Sequence, residues 1–198
     1  MSRSFLDGVR FRPAEKDECR TIALLYSISS DGLADYIWTT LAKPGEDILD
    51  VGERRYSNEE LLFSYKNCIV AEYKGGIIGM LVAFPMYLPD GPDASNEPDP
   101  VLAPYAKLEK DSSYYIMGVA VFPEYRGKGI GTRFLELAEG KAREHGLSQL
   151  SLIVFEQNEG AKRLYERHGF YEIMREKVVR HDLIHFTGYA LLMVKDIA

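Results

Sequence analysis

The chain has 198 residues, of which 46% are hydrophobic and 27% charged, and carries a formal net charge of −6. A domain of that size buries roughly 70% of the surface its unfolded form exposes, so it requires no disulfide or metal staple. The acidic balance argues against nonspecific binding to nucleic acid or to a membrane surface.

Cys19 and Cys68 lie far apart, and the four histidines fall in no metal-ligand spacing beyond His181 and His185 at i, i+4. No metal is therefore expected. The N-terminal stretch carries charges every few residues and no apolar centre, so it is not read as a signal peptide. The most apolar run, GGIIGMLVAFPMYL, is short for a bilayer and contains a proline. A cytoplasmic location is the expectation.

VRFRP at 9–13 alternates and stops at Pro13, which suits a short strand. Residues 14–28 read as a helix with Ile22, Leu25 and Tyr26 on one face, and 31–45 as a second, ended by Lys43-Pro44-Gly45. SNEELLFSY at 57–65 is expected to be a third helix, because Ser57 and Glu60 have capping-box spacing. Residues 67–84 form the clearest hairpin, two apolar strands about Lys74-Gly75-Gly76.

The pattern breaks over 85–111. Six of the nine prolines fall there, and Asp90, Asp93, Glu97, Asp99, Glu109 and Asp111 outnumber Lys107 and Lys110. Composition alone reads as a solvated linker; the length suits a lid or binding loop equally well. Order returns with a strand at 114–122, a helix at 130–145 stopped by Gly146, and a strand at 150–155. A short helix ending at Gly169 and two strands, at 170–179 and 187–195, complete the chain. Strands alternate with helices after residue 114, so this half is α/β, with no internal repeat and a single domain over 1–198.

YRGKGIGT at 125–132 places glycine at 127, 129 and 131, between a strand and a helix start. That arrangement binds phosphate: first-turn N–H groups and the positive end of the helix dipole face an anion, and glycine removes the side chains that would keep it away. From residue 126 to 143 there are five basic residues against two acidic ones, inside an acidic chain. A tight turn alone needs fewer glycines. The Walker A spacing fails because Lys128 precedes the final glycine, and the dinucleotide fingerprint fails because the glycines recur at every second position.

Arg126-Gly127-Lys128-Gly129-Ile130-Gly131 has the form R-x-x-G-x-G and resembles the acetyl-CoA pyrophosphate motif of the GNAT superfamily of N-acetyltransferases. Downstream, Asn158, Ala161, Leu164, Tyr165, Gly169 and Phe170 are similar to a second family motif, so the resemblance covers residues 114 to about 173. It implies a mixed α/β fold: a central, mostly antiparallel sheet with a splayed middle strand and helices on both faces. It also implies that the loop backbone from Arg126 through Thr132 holds the pyrophosphate. The pantetheine arm of acetyl-CoA would add to the main chain at Val119 and Val121, and donors near Val119 or Ala120 would polarise the thioester carbonyl.

In the resemblance Tyr165 protonates the departing CoA thiolate, although its helical stripe with Ala161, Leu164 and His168 reads equally as core. Asn158 touches cofactor or substrate, or caps its helix. Glu156, or Glu72, is a candidate base for the acceptor amine. Cys68 is expected in the core, which favours direct transfer. The acceptor is expected to be an amine, a small molecule rather than a protein if the acidic segment closes over it. The competing reading is a catalytically silent acyl-CoA-binding sensor. Pairing as a homodimer is a further expectation from the family.

Overall fold

The computed structural model describes residues 5–89 and 97–197; Asp90 and Asp93, in the acidic segment, lie outside the described residues. Seven strands hydrogen-bond in the order β1-β2-β3-β4-β5-β7-β6. The pairs β1–β2, β2–β3, β5–β7 and β6–β7 are antiparallel and β4–β5 is parallel, as expected for the mixed, mostly antiparallel class. The chain divides into two compact units, and β4 (Ser113–Val121) contributes its C-terminal half to the first and its N-terminal half to the second.

The first unit runs to Ala83 and resumes over Met117–Phe134. Strand β1 (Arg10–Pro13) pairs with β2 (Cys68–Tyr73), which pairs with β3 (Gly76–Met86). Lys74 and Gly75 both have positive φ (52° and 79°), the geometry of the tight hairpin turn that the sequence signals. Arg12 donates to Glu72 at 2.7 Å and to Glu18 at 2.6 Å, clamping the sheet edge to the start of α1 (Cys19–Ser29). Those bonds hold the Glu18 carboxyl below its usual range.

Helices α1, α2 (Leu33–Leu41) and α3 (Ile48–Ser57) pack through Gly52, where a Cβ would come within 2.8 Å of Trp38 and 2.9 Å of the Ala23 methyl. Helix α3 overturns the expected helix at 57–65. Ser57 ends a helix instead of starting one: its hydroxyl donates back to the Glu53 carbonyl at 2.8 Å. Asn58 then turns the chain, accepting from the Glu60 amide at 3.1 Å, and the true cap is Asp47, which accepts from Leu49 N–H at 2.9 Å.

The second unit holds Phe84–Ile116 and the chain from Leu135 onward. Here β4 pairs with β5 (Gln149–Phe155) in parallel, β5 with β7 (Tyr189–Asp196), and β7 with the edge strand β6 (Tyr171–Lys177). Strand β3 runs through Pro85 to Met86, past the expected break. The described part of the acidic segment is built, not a solvated linker. Asp99 accepts from Val101 N–H at 2.8 Å and starts the single turn α4 (Ala103–Ala106), while Leu108 is fully buried and Val101 and Tyr105 nearly so. Asp99 is thus a local turn cap, whereas Asp111 accepts from Leu88 N–H at 2.8 Å and ties the end of the segment to its start.

Candidate active site

Strand β4 ends at a 3-10 turn, Pro123–Tyr125, and α5 (Ile130–Glu144) begins five residues later. Gly127 and Gly129 sit at φ +72° and +86°, backbone that L-residues with side chains rarely adopt. A Cβ at Gly127 would meet nothing within 4 Å, whereas one at Gly129 would come within 3.2 Å of Leu6. Ile130, Phe134 and Leu135 are buried and pin the start of α5. The first ladder bond is Arg133 N–H to Gly129 C=O at 3.0 Å, so the Ile130 and Gly131 amides precede the ladder and have no acceptor within the helix.

The loop cations are held without being neutralised. Arg126 Nε donates to the Val121 carbonyl at 3.0 Å and Lys128 Nζ to the Glu124 carbonyl at 2.9 Å. Lys128 also stands over the rings of Phe5 (4.8 Å) and Tyr125 (5.1 Å). Phe5 in turn packs on Tyr73 at 4.8 Å, so an N-terminal turn, Phe5–Gly8, braces the loop from below. Sequence reasoning missed this brace: no local pattern ties Phe5 or Leu6 to residues 120 positions away.

On β4, the ladder to β5 runs from Tyr114↔Leu150 to Ile116↔Leu152, while β4 continues to Val121. Val119 and Val121 are half-buried, and the Val121 carbonyl is engaged by Arg126. Two glycines let neighbours approach the strand. A Cβ at Gly79 of β3 would come within 2.7 Å of the Ala120 carbonyl oxygen, and one at Gly118 would come within 3.0 Å of the Tyr26 ring. Burial pushes the Tyr26 phenol up to about 12.

Asn158, Tyr165 and Glu156 belong to the second unit. Asn158 caps α6 (Glu159–Arg167), accepting from Ala161 N–H at 3.2 Å. Tyr165 is 8% exposed and lies two residues before the helix end. Gly169, at φ +85°, reverses the chain, and Phe170 N–H donates to the Tyr165 carbonyl at 3.1 Å. This is a Schellman stop, which brings the Phe170 ring to 5.7 Å from that of Tyr165. The spacing of Tyr165, Gly169 and Phe170 thus has a complete structural cause.

Glu156 follows β5, and its carboxylate accepts from Arg175 at 3.2 Å; Arg175 also holds Glu172. Glu72 is bound by Arg12. Cys19 and Cys68 are both buried, and burial pushes both thiols up, away from the thiolate a covalent step needs. Among the described residues no three His, Cys, Asp or Glu side chains gather as metal ligands, and no helix is long and apolar enough to cross a membrane.

Strand, glycine turn and helix start make up a mixed α/β arrangement of the kind that can receive an anion at its first-turn amides. Residues 34–170 match the model of the acetyltransferase (GNAT) family, and the chain belongs to that family. It is 40% identical over 58 residues to the uncharacterized N-acetyltransferase YycN of Bacillus subtilis (strain 168), a match covering 29% of this chain and 37% of that protein. It is 38% identical over 60 residues to the thialysine N-epsilon-acetyltransferase of Bos taurus, covering 30% and 35%. These matches span little more than a third of the relatives' own length.

Two solved structures share the fold over nearly the whole chain. An N-acetyltransferase from Staphylococcus aureus Mu50 superposes with a TM-score of 0.65 at 23% identity, covering 93% of this chain and 99% of that one. The putative acetyltransferase yncA from Salmonella typhimurium, solved with its cofactor acetyl-CoA, gives 0.59 at 18% identity, covering 96% and 94%.

Proposed function

We propose that this protein transfers an acetyl group from acetyl-CoA directly to a primary amine, the whole chain acting as one N-acetyltransferase domain. The observation that carries the reading is the loop itself: two positive-φ glycines ahead of α5, flanked by Arg126 and Lys128 with no carboxylate on either among the described residues. A pyrophosphate supplies the missing anion, received by the backbone from Arg126 to Thr132 and the dipole of α5. The acetyl-CoA in the Salmonella neighbour supports the choice of cofactor.

The pantetheine arm hydrogen-bonds to β4 at Val119 and Val121, which requires Arg126 to share or release the Val121 carbonyl. A main-chain donor near Val119 or Ala120 stabilises the developing oxyanion. Tyr165 gives its proton to the CoA thiolate, a free thiol having a pKa of about 8.5.

The acceptor amine must lose a proton first. A lysine-like amine is free base in roughly one molecule in a few thousand at pH 7, which costs about 4.6 kcal/mol unless a base removes the proton. Glu156 is a candidate base, as is Glu72, and the pairing of Glu156 with Arg175 is the feature that favours the rival reading of a silent acyl-CoA sensor. The bovine relative's action on thialysine supports a small-molecule amine over a protein. The deciding experiment is thiol release from acetyl-CoA across a panel of amino acids, polyamines and peptides. Turnover above background with an amine supports transfer; acetyl-CoA binding with no release across the panel leaves the sensor.

A further inference from the structure

Within the first unit, away from the glycine loop in sequence, an open cavity of about 510 Å³ is lined by Leu41, Val51, Arg54, Arg55, Asn58 and Leu61. That volume falls in the range of small-molecule sites, roughly 300–1,000 Å³. Its two arginines differ. Arg54 is paired with Glu46. Arg55 is half-buried, its guanidinium stacked over the Phe63 ring at 4.7 Å, with no carboxylate paired to it among the described residues.

The neighbours of Arg55 supply no compensating charge. Tyr26 and Tyr56 stand nearest among the titratable groups, and burial raises both phenols so that they stay neutral at pH 7. Burial in turn pushes the Arg55 guanidinium below its usual range. A cation near the end of α3 gains something from the helix dipole, but that is a fraction of a charge at the terminus. Taking a guanidinium partly out of water without a counter-ion is unfavourable, and a bound anion removes the deficit. The rest of the lining selects which anion. Leu41 and Leu61 present aliphatic surface beside the buried Val51, which suits a carbon chain and not a strongly hydrated phosphate.

We propose that this cavity binds a small amphipathic carboxylic acid, the Arg55 guanidinium taking the carboxylate in its planar fork, Asn58 adding its amide, and Leu41 and Leu61 covering the hydrocarbon body. The site uses no residue of the acetyl-CoA loop, so it stands whether or not the chain transfers an acetyl group.

Isothermal titration of the full chain with hexanoate, hexanamide and inorganic phosphate tests it, in the wild type and in Arg55→Gln and Arg55→Lys. Hexanoate is expected to bind, with hexanamide and phosphate about tenfold weaker or undetected. Arg55→Gln should lose about tenfold or more for hexanoate, and Arg55→Lys should keep part of it, with acetyl-CoA binding and melting temperature serving as controls for folding. Equal affinity for acid and amide, no binding of hexanoate at millimolar concentration, or unchanged binding in Arg55→Gln overturns the proposal. Two sources of the carboxylate are separated by kinetics: competition between hexanoate and the acceptor amine assigns it to the acceptor, and noncompetitive behaviour assigns it to a separate effector.

Discussion

Between Val121 and Thr132, Arg126 and Lys128 have no carboxylate partner among the described residues, whereas between Glu156 and Phe170 most polar side chains already have a structural partner. Arg126 and Lys128 lean on main-chain carbonyls and aromatic rings, which fix their positions and leave their charge available. Glu156 is committed to Arg175, Asn158 to the cap of α6, and Glu159 to Arg163. Under the proposed function the first stretch receives the anion, and the second is a scaffold to which Tyr165 adds the chemistry. On that reading one family motif is a ligand site and the other largely a folding device.

The sharpest way to break this contrast is Tyr165→Phe. If the hydroxyl supplies the proton to CoA, kcat falls about 100-fold or more with KM for acetyl-CoA little changed, because the ring and its packing on Phe170 persist. An unchanged kcat would make Tyr165 wholly structural. Next is Gly129→Val, which forces a β-branched residue to φ +86° with Leu6 in the way. Acetyl-CoA binding by calorimetry should weaken roughly 100-fold, combining left-handed strain with lost amide contacts.

Lys128→Ala should raise the acetyl-CoA Kd a few-fold, by a factor that shrinks as salt is added, since the lysine is exposed. Asn158→Ala removes a cap worth about 1 kcal/mol, which lowers Tm by roughly 2–4 °C. A larger loss in kcat than in Tm would add a catalytic role to the structural one.

The smallest effect is a pH dependence outside both stretches. Arg12 lowers the Glu18 carboxyl, so its contribution to stability is present above the unfolded value, about 4.3, and is lost as pH falls through the lower folded value. The Tm difference between wild type and Glu18→Gln should therefore shrink as pH is taken from about 6 to about 3.

Local rules carried most of the architecture. Lys74-Gly75 gave the hairpin because both residues take positive φ, and Gly146 stops α5 as expected, with Leu147 N–H reaching back to the Ala142 carbonyl at 2.9 Å. Where local rules failed, tertiary contact had overridden them. Helix α3 carries Gly52, a poor helix former, because Trp38 and Ala23 leave no room for a Cβ, and that glycine hid the helix. Ser57 and Glu60 imitate a capping box that Asn58 displaces by a turn of its own. At the site, the glycines and Arg126 were legible from spacing, but the Phe5–Lys128 brace arises only when distant segments meet.

The most direct test of the central claim is a thermal-shift series with acetyl-CoA, CoA, NAD and ATP at equal concentrations. A ligand at 100 times its Kd adds about 2.7 kcal/mol, which for a chain of this size is roughly 5–10 °C in Tm. A shift with acetyl-CoA and CoA that vanishes in Gly129→Val is the predicted result. A shift with NAD or ATP and none with either CoA species would contradict the account, and the roles given to Tyr165 and Asn158 would fall with it.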